Sequence, residues 1–597
     1  MDLDLFTRIF NNEFDWKDLR FENIGDIPVG ALYDFCNAFP TLIHAFLFLV
    51  LAMYRLPPSY RNAIISLYTK ISVYSSGIGN GKFLFYVLCG VKTGCPLSSL
   101  LFLLCINPIL FLFMNLSDNL GFSCTRVCAD DFGSALQCLS RLKTQASIFR
   151  LAAACAGLIL KLSKCVIIVS GVELTDELEA AIRLWLSINI PEFEEFIIAS
   201  SGKYLGYYLG TDMTHCSFKA PLEKFEQRIN EVVDGKAPAT TSILRFNQRA
   251  VPVLSYVSQF AFPPVNMTDL EMWSIHKILR MPPKCMSRQL CHSTAFCTEV
   301  NPICLSAYCF ANMLRFAHSE AEYLLDLHAK TVARLQSDPR SEATPLCSID
   351  TPAISSNCLD IPYGGINDPP ILVSLLHAFK LTGPFSVFKD NCRIDPNRAW
   401  LVEYPTINFP KPYKSFQSSV LAALSVEFSV GSLSAELHGK AKTTLLNLAP
   451  FEMPLEWFEE LQTELMKQTP YIKVCWLKTI TGAWCTSTRS AALHGRNCIF
   501  GCEDCRDELT HYLVCPILWQ FGCATLGINE DSIGFLDRIG VIHPTSDKFK
   551  LLAFSHALYH SCVNDSGCMF EDGEPRSSQI VQSVASDLCS FCKHRVN

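Results

Sequence analysis

Asp130 and Asp131 stand side by side at the end of a strand-like run, Gly121-Phe122-Ser123-Cys124-Thr125-Arg126-Val127-Cys128-Ala129, and Phe132-Gly133 follows them. Adjacent carboxylates repel, so a chain that sets two of them on a tight hairpin calls for a cation. Hard divalent ions such as Mg²⁺ take oxygen ligands, and two-metal phosphoryl transfer draws its carboxylates from more than one segment. An isolated acid pair also caps helices and decorates turns. It constrains this chain only together with the segments around it.

With 597 residues the chain is too long for one core and divides into several units. Hydrophobic residues make up 49% and charged residues 18%, with a mean hydropathy of +0.22, which excludes extensive disorder. The net charge of −7 is awkward for a protein that grips a phosphate backbone. The acidic start, Met1-Asp2-Leu3-Asp4-Leu5, lacks the order of a signal peptide, so an intracellular protein of the cytoplasm and nucleus is expected. The 29 cysteines then read as reduced thiols. Two apolar runs, Thr41 to Tyr54 and Leu97 to Met114, are expected to be core helices without stable membrane association. The first is short for a span and carries His44, and Asn107-Pro108 interrupts the second.

Residues 1–30 are a mixed lead-in. Strand-like and helix-like runs alternate over 31–215, as in an α+β domain. Over 216–335 the pattern is helical, with Leu222, Phe225, Ile229 and Val232 at three- and four-residue steps. A Pro-, Ser- and Gly-rich linker occupies 336–370 and a helical connector 371–475. A cysteine-rich unit at 476–530 and a tail at 531–597 complete the chain.

Other motifs flank the acid pair. Ala31-Leu32-Tyr33-Asp34 is an apolar strand delivering one acid, with Phe39 five residues on. Cys89-Gly90-Val91-Lys92-Thr93-Gly94-Cys95-Pro96-Leu97-Ser98 is a glycine-punctuated loop, with Pro96 and Ser98 suited to the first turn of the apolar helix that follows. Beyond the acids, an amphipathic helix ends at Gly157, a residue suited to a left-handed cap, and Gly157-Leu158-Ile159-Leu160-Lys161-Leu162-Ser163-Lys164 leads to Lys203-Tyr204-Leu205-Gly206.

In this order the five blocks resemble the palm of reverse transcriptases, specifically those of non-LTR (LINE-type) retrotransposons, over residues 25–265. The resemblance implies a right-hand polymerase palm, an antiparallel sheet with helices on one face, then a helical thumb and connector and a small zinc-knuckle unit. It implies RNA-directed DNA synthesis from deoxynucleoside triphosphates on a primer 3′-hydroxyl, with an RNA template and a DNA primer or target as partners. Asp34 and Asp130 would hold two Mg²⁺ ions, with Asp131 in support. Phe39 would exclude a 2′-hydroxyl, and Lys164 would neutralise or protonate the leaving pyrophosphate. Gly94, Pro96 and Ser98 would line the template and nascent pair, while Lys203 and Gly206 would grip the primer.

Departures from the family pattern bear on activity. Thr93 replaces the usual glutamine, and Cys128 the usual aromatic before Ala129. The few residues before Asp34 leave no room for the usual fingers or an endonuclease, so an N-terminally truncated reading frame is expected. The alternatives are an inactive remnant that at most binds nucleic acid, and an apolar membrane-associated protein with accidental motifs.

Towards the C-terminus, Cys498-x3-Cys502 and His511-x3-Cys515 offer a Cys₃His set for tetrahedral Zn²⁺, with Cys505 as a competing ligand. The pattern, followed by Pro516 and Trp519, is similar to the zinc knuckle of LINE-type polymerases, which favours Cys498. Arg489, Arg496 and Arg506 lie nearby in sequence for phosphates.

Overall fold

The computed structural model describes residues 23–315 except 77–80, 93, 120–122, 171, 211–212, 262, 265, 310 and 313–314, together with 393–394, 402–403, 417–418 and 421, and 431–596 except 446–452, 488–496, 530–533, 565–569, 572–573 and 576. Most of the lead-in, Thr93, the linker, Arg489, Arg496 and most of the connector before 431 therefore lie outside the described residues.

The first half runs β1 (Val29–Tyr33), α1 (His44–Met53), α2 (Pro58–Tyr68), β2 (Ile71–Tyr74), β3 (Phe83–Val87), α3 (Ser98–Asn119), β4 (Ser123–Cys128) and β5 (Asp131–Leu136). It continues with α4 (Leu142–Ala156), β6 (Val166–Val169), α5 (Asp176–Asn189), β7 (Ile197–Ala199), β8 (Ser201–Tyr204), β9 (Tyr207–Gly210) and α6 (Met213–Asp234). A five-stranded sheet has the order β4-β5-β1-β6-β7. Its central strand β1 is buried throughout, because both sheet faces are covered. Alternate residues feed two cores, as a two-residue period requires. Val29, Ala31 and Tyr33 meet Leu47, Phe102, Phe149 and Ile182 of the helical layer α1, α3, α4 and α5. Leu32 and Ile168 face the other way, with Tyr207, Leu209 and Phe218.

This architecture amends the expected palm in two respects. The sheet is mixed, because β7 pairs with β6 in parallel. A parallel neighbour needs a crossover of a dozen or more residues, and α5 supplies it, with the Thr175 side chain accepting from the Leu178 N–H to start the helix. Nor are the covering elements confined to one face. The β8–β9 hairpin and α6 cover the second, where a Cβ on Gly202 would lie 2.9 Å from Leu32 Cδ1. α4 ends as expected at Gly157, which has φ 74°.

Ser98–Asn115 of α3 is long and apolar enough to cross a membrane by length and composition. One stripe of it, Leu101, Phe102, Cys105, Ile106, Ile109 and Phe113, is buried in the helical layer, while Leu100, Leu103, Phe111 and Met114 are exposed. In α6, Phe225, Ile229 and Val232 are buried and Leu222 packs beside them.

Residues 531–597, expected as a tail, contribute two helices of 19 residues, Ser546–Asn564 and Ser578–Val596, to a core around Trp476, Trp484, Tyr512 and Tyr559. His556 and His560 lie one turn apart against Trp484, at ring-centroid distances of 5.3 and 5.9 Å. Burial drives the His556 pKa well below its ordinary value and pushes His560 down to about 3. The unfolded chain protonates both rings near 6.5, so in that interval it binds more protons than the folded chain. The stability gained by keeping the rings neutral is complete above 6.5 and is lost as pH falls towards 3, by a few kcal/mol at about pH 4. Urea unfolding of wild type and His560→Phe at neutral pH and at about pH 4 should show a smaller acid loss in the variant. Equal losses would rule out this source of acid sensitivity.

Candidate active site and metal cluster

Strand register builds the acidic site. β1 and β5 pair with Tyr33 opposite Phe132, so the next residues outward are Asp34 and Asp131. β4 and β5 close a hairpin with Cys128 opposite Asp131, which leaves Ala129 (φ 56°) and Asp130 at its tip. Three carboxylates thus meet at one end of two neighbouring strands. Between Asp26 and Glu173 the chain carries only one further carboxylate, Asp118. The acidic charge of the whole chain therefore lies elsewhere, and these acids stand in an otherwise cationic segment.

The stretch from Leu158 to Cys165 is fastened alongside. Lys161 N–H donates to the Asp34 carbonyl at 2.7 Å and Cys36 N–H to the Ile159 carbonyl at 2.7 Å. The buried Cys165 sulfur accepts from the Asp34 N–H at 3.5 Å. This places Lys164 Nζ 3.1 Å from Asp34 Oδ2. Burial first, then the charges of Asp130 and Asp34, push the Asp131 carboxyl above its ordinary pKa, and Lys164 only partly opposes them. The site is short of positive charge, and its donors are all carboxylate oxygens. That donor set fits hard divalent cations.

Phe39 is half-buried and stacks on Phe102 with centroids 4.4 Å apart and planes at 16°. Its carbonyl accepts from Val91 N–H at 2.9 Å, while Gly90 N–H donates to the Leu42 carbonyl at 2.7 Å. Gly90 has φ 86°, and a Cβ there would lie 2.5 Å from the Pro40 carbonyl oxygen. Gly90→Ala is expected to cost about 2 kcal/mol or more, read as a lower urea midpoint. An unchanged midpoint would show that the loop is not held in this way.

Gly94 (φ 83°) and Pro96 are exposed on the loop. Ser98 is buried, and its hydroxyl donates to the Lys92 carbonyl at 2.5 Å, so its visible role is to brace the loop at the start of α3. Lys203 is exposed on β8, and Gly206 (φ 84°) sits in the two-residue β8–β9 turn beside Leu205 (φ 49°). Positive φ at both turn residues is the usual tight-hairpin geometry. The Tyr204 hydroxyl donates to the carbonyls of Arg126 and Asp131, at 3.2 and 3.3 Å, and locks this hairpin onto the acid strands. Tyr256 in turn donates to the Leu205 carbonyl at 2.5 Å. Nothing in the motif spacing gave Cys165 a role.

The ligand atoms of Cys498, Cys502, His511 and Cys515 lie within 4.8 Å of one another. Cys515 Sγ is 3.9 Å from Cys498 Sγ and 3.6 Å from Cys502 Sγ. Tetrahedral Zn²⁺ with ~2.3 Å Zn–S bonds requires sulfurs roughly 3.8 Å apart. His511 Nε2 is buried with no hydrogen-bond partner among the described residues, as a ligand atom would be. Cys505 contributes its carbonyl to Cys498 N–H at 2.7 Å, and its sulfur is not in the cluster. A second grouping, Glu271, His292 and Cys304, is otherwise satisfied. Glu271 accepts from Arg288 at 3.0 Å and bonds His292 at 2.8 Å, and the guanidinium also reaches the Cys304 sulfur at 3.5 Å.

No curated protein matches the chain. Residues 20–209, which hold every residue of the acidic site from Asp34 to Gly206, match the family model for reverse transcriptase (RNA-dependent DNA polymerase).

Proposed function

We propose that the chain is the RNA-directed DNA polymerase of a non-LTR (LINE-type) retrotransposon, extending a DNA primer or target on an RNA template with deoxynucleoside triphosphates. The observation that carries this is the meeting of Asp34, Asp130 and Asp131 at one sheet edge, inside the matched domain and next to the loop that anchors Phe39. The LINE-type assignment rests on the order of the five blocks and on the Cys-x3-Cys-x8-His-x3-Cys spacing.

Asp34 and Asp130 would hold two Mg²⁺ ions, with Asp131 in support. Bound there, such ions neutralise the triphosphate and make the primer hydroxyl easier to deprotonate. The chain's own residues do the rest. Phe39, held by Phe102 and Val91, would exclude a ribose 2′-hydroxyl. Lys164 brings an ammonium to the flank of Asp34, where it can neutralise or protonate departing pyrophosphate. Lys203 offers a cation for the primer backbone on a hairpin that Tyr204 locks to the acid strands. Cys498, Cys502, His511 and Cys515 would hold a structural Zn²⁺, since four protein ligands leave no open position for chemistry.

Primer extension on an RNA template with Mg²⁺, comparing wild type with a site carboxylate replaced by its carboxamide, tests the reading. Extension lost in the variant supports it. Extension undiminished in the variant sinks it, and folded wild type without extension leaves a nucleic-acid-binding remnant.

A further inference from the structure

From Phe35 to Ser117 the chain has no Asp or Glu, while it has Arg55, Arg61, Lys70, Lys82 and Lys92. In a chain of net charge −7, this makes the stretch from α1 through the β2–β3 hairpin to the start of α3 a cationic block without a carboxylate. The antiparallel β2–β3 hairpin projects from it, and none of its nine strand residues is buried. Tyr74, Phe83, Phe85 and Tyr86 are 59, 42, 55 and 52% exposed. Three of the rings form a chain, with centroids 5.9 Å apart for Tyr74–Phe83 and 4.8 Å for Phe83–Tyr86. Exposed Lys70 and Lys82 stand immediately before the two strands.

An uncovered two-stranded hairpin is marginal in water, and a surface this rich in exposed rings marks an interaction site. Two features choose its occupant. Cations without a single carboxylate suit a polyanion. Alternate residues of a strand point to opposite faces, and here both faces are exposed. A flat bilayer would cover only one of them, whereas unpaired bases can stack on individual rings while lysines meet the phosphates.

We propose that the β2–β3 hairpin is a stacking platform for single-stranded RNA. β3 continues through Cys89 into the loop fastened to Phe39, so RNA held on the hairpin lies on the approach to the acidic edge. Naming this RNA as the template rests on the polymerase reading; the binding itself is measurable without it.

The test is the affinity of the full chain for a fluorescent, unstructured oligouridine RNA, without nucleotides or Mg²⁺. Phe83→Ala with Tyr86→Ala is expected to weaken binding by about tenfold or more, because each ring removed takes a base stack with it. Tyr86→Phe keeps the ring and should retain most of the affinity. Lys70→Gln with Lys82→Gln should flatten the log–log salt dependence by a slope of ~0.7 for each phosphate the lysines no longer neutralise. These side chains are exposed, so unchanged thermal melting is expected of each variant, and the lysine pair remains informative if the ring variant melts early. Wild-type affinity in both the ring and lysine variants overturns the proposal. So do equal losses on blunt duplex RNA, or a loss confined to phosphatidylserine vesicles. Failure of the platform leaves the carboxamide extension test untouched, and failure of that test leaves these affinities standing.

Discussion

Asp130→Asn is expected to reduce RNA-templated extension by about a thousandfold or more, while the protein unfolds at the wild-type urea midpoint. The first part follows from the site's electrostatics. Asp130 sits at the tip of the β4–β5 turn, beside Asp131 and across the strand end from Asp34. A carboxamide there removes one unit of negative charge from the set that would hold the cations, whose charge stabilisation is worth several kcal/mol in the transition state. The second part follows from packing. Asp130 is half-exposed, so no core is disturbed. The Asp131 carboxyl, pushed up partly by Asp130, is relieved when that charge is removed. Stability should therefore hold or rise slightly at neutral pH. Asp131→Asn is expected to cost less activity, because it would only support the ions. Extension by Asp130→Asn at the wild-type rate would remove the metal-site assignment.

What could be read from the sequence is local. The acid pair on a tight turn, the cap at Gly157 and the helix starting at Ser98 are decided by residues a few positions apart, and the structure shows all three. The Cys₃His grouping was legible for the same reason, and the structure brings Cys498, Cys502, His511 and Cys515 together without the sulfur of Cys505. Lateral pairing is not local. Nothing in the two-residue period of Ile197–Ala199 says whether it runs with or against Val166–Val169, so the parallel edge was missed. The same limit hid the second sheet face, where a bare Gly202 lets a hairpin settle on Leu32 and Ile168. The template-lining role of Ser98 came from the resemblance, and a serine after a glycine loop has no sequence signature of burial. Only the fold shows its hydroxyl turned to Lys92. Tyr204 reaches the acid strands across 73 and 78 positions, beyond any spacing rule.

Cys515→Ser is expected to empty the Cys₃His cluster of Zn²⁺ and to unfold the C-terminal lobe at a much lower temperature than wild type. Cys515 Sγ closely approaches the sulfurs of both Cys498 and Cys502, so its removal breaks the set. The cluster is also wired into the surrounding core. The Tyr512 hydroxyl accepts from Ile499 N–H at 3.1 Å, and Trp519 Nε1–H donates to the Tyr512 carbonyl at 2.9 Å. Buried Asp507, between the two ligand pairs, accepts from Ser487 N–H at 3.1 Å and from the Tyr559 hydroxyl at 3.0 Å. Those bonds tie the knuckle loop to the helix Ser546–Asn564. Structural Zn²⁺ contributes roughly 10–16 kcal/mol to folding in isolated zinc-finger peptides. A lobe with this much aromatic core needs less, but a destabilisation of several kcal/mol remains the expectation. Cys505→Ser separates the ligand from its neighbour, because Cys505 contributes a carbonyl that serine retains. Elemental analysis should therefore find zinc in wild type and in Cys505→Ser and none in Cys515→Ser, with melting temperatures in the same order. Zinc-free wild-type protein, or zinc lost with Cys505, would mean that these sulfurs are held together by the core alone or that the tetrahedron closes on a different thiol.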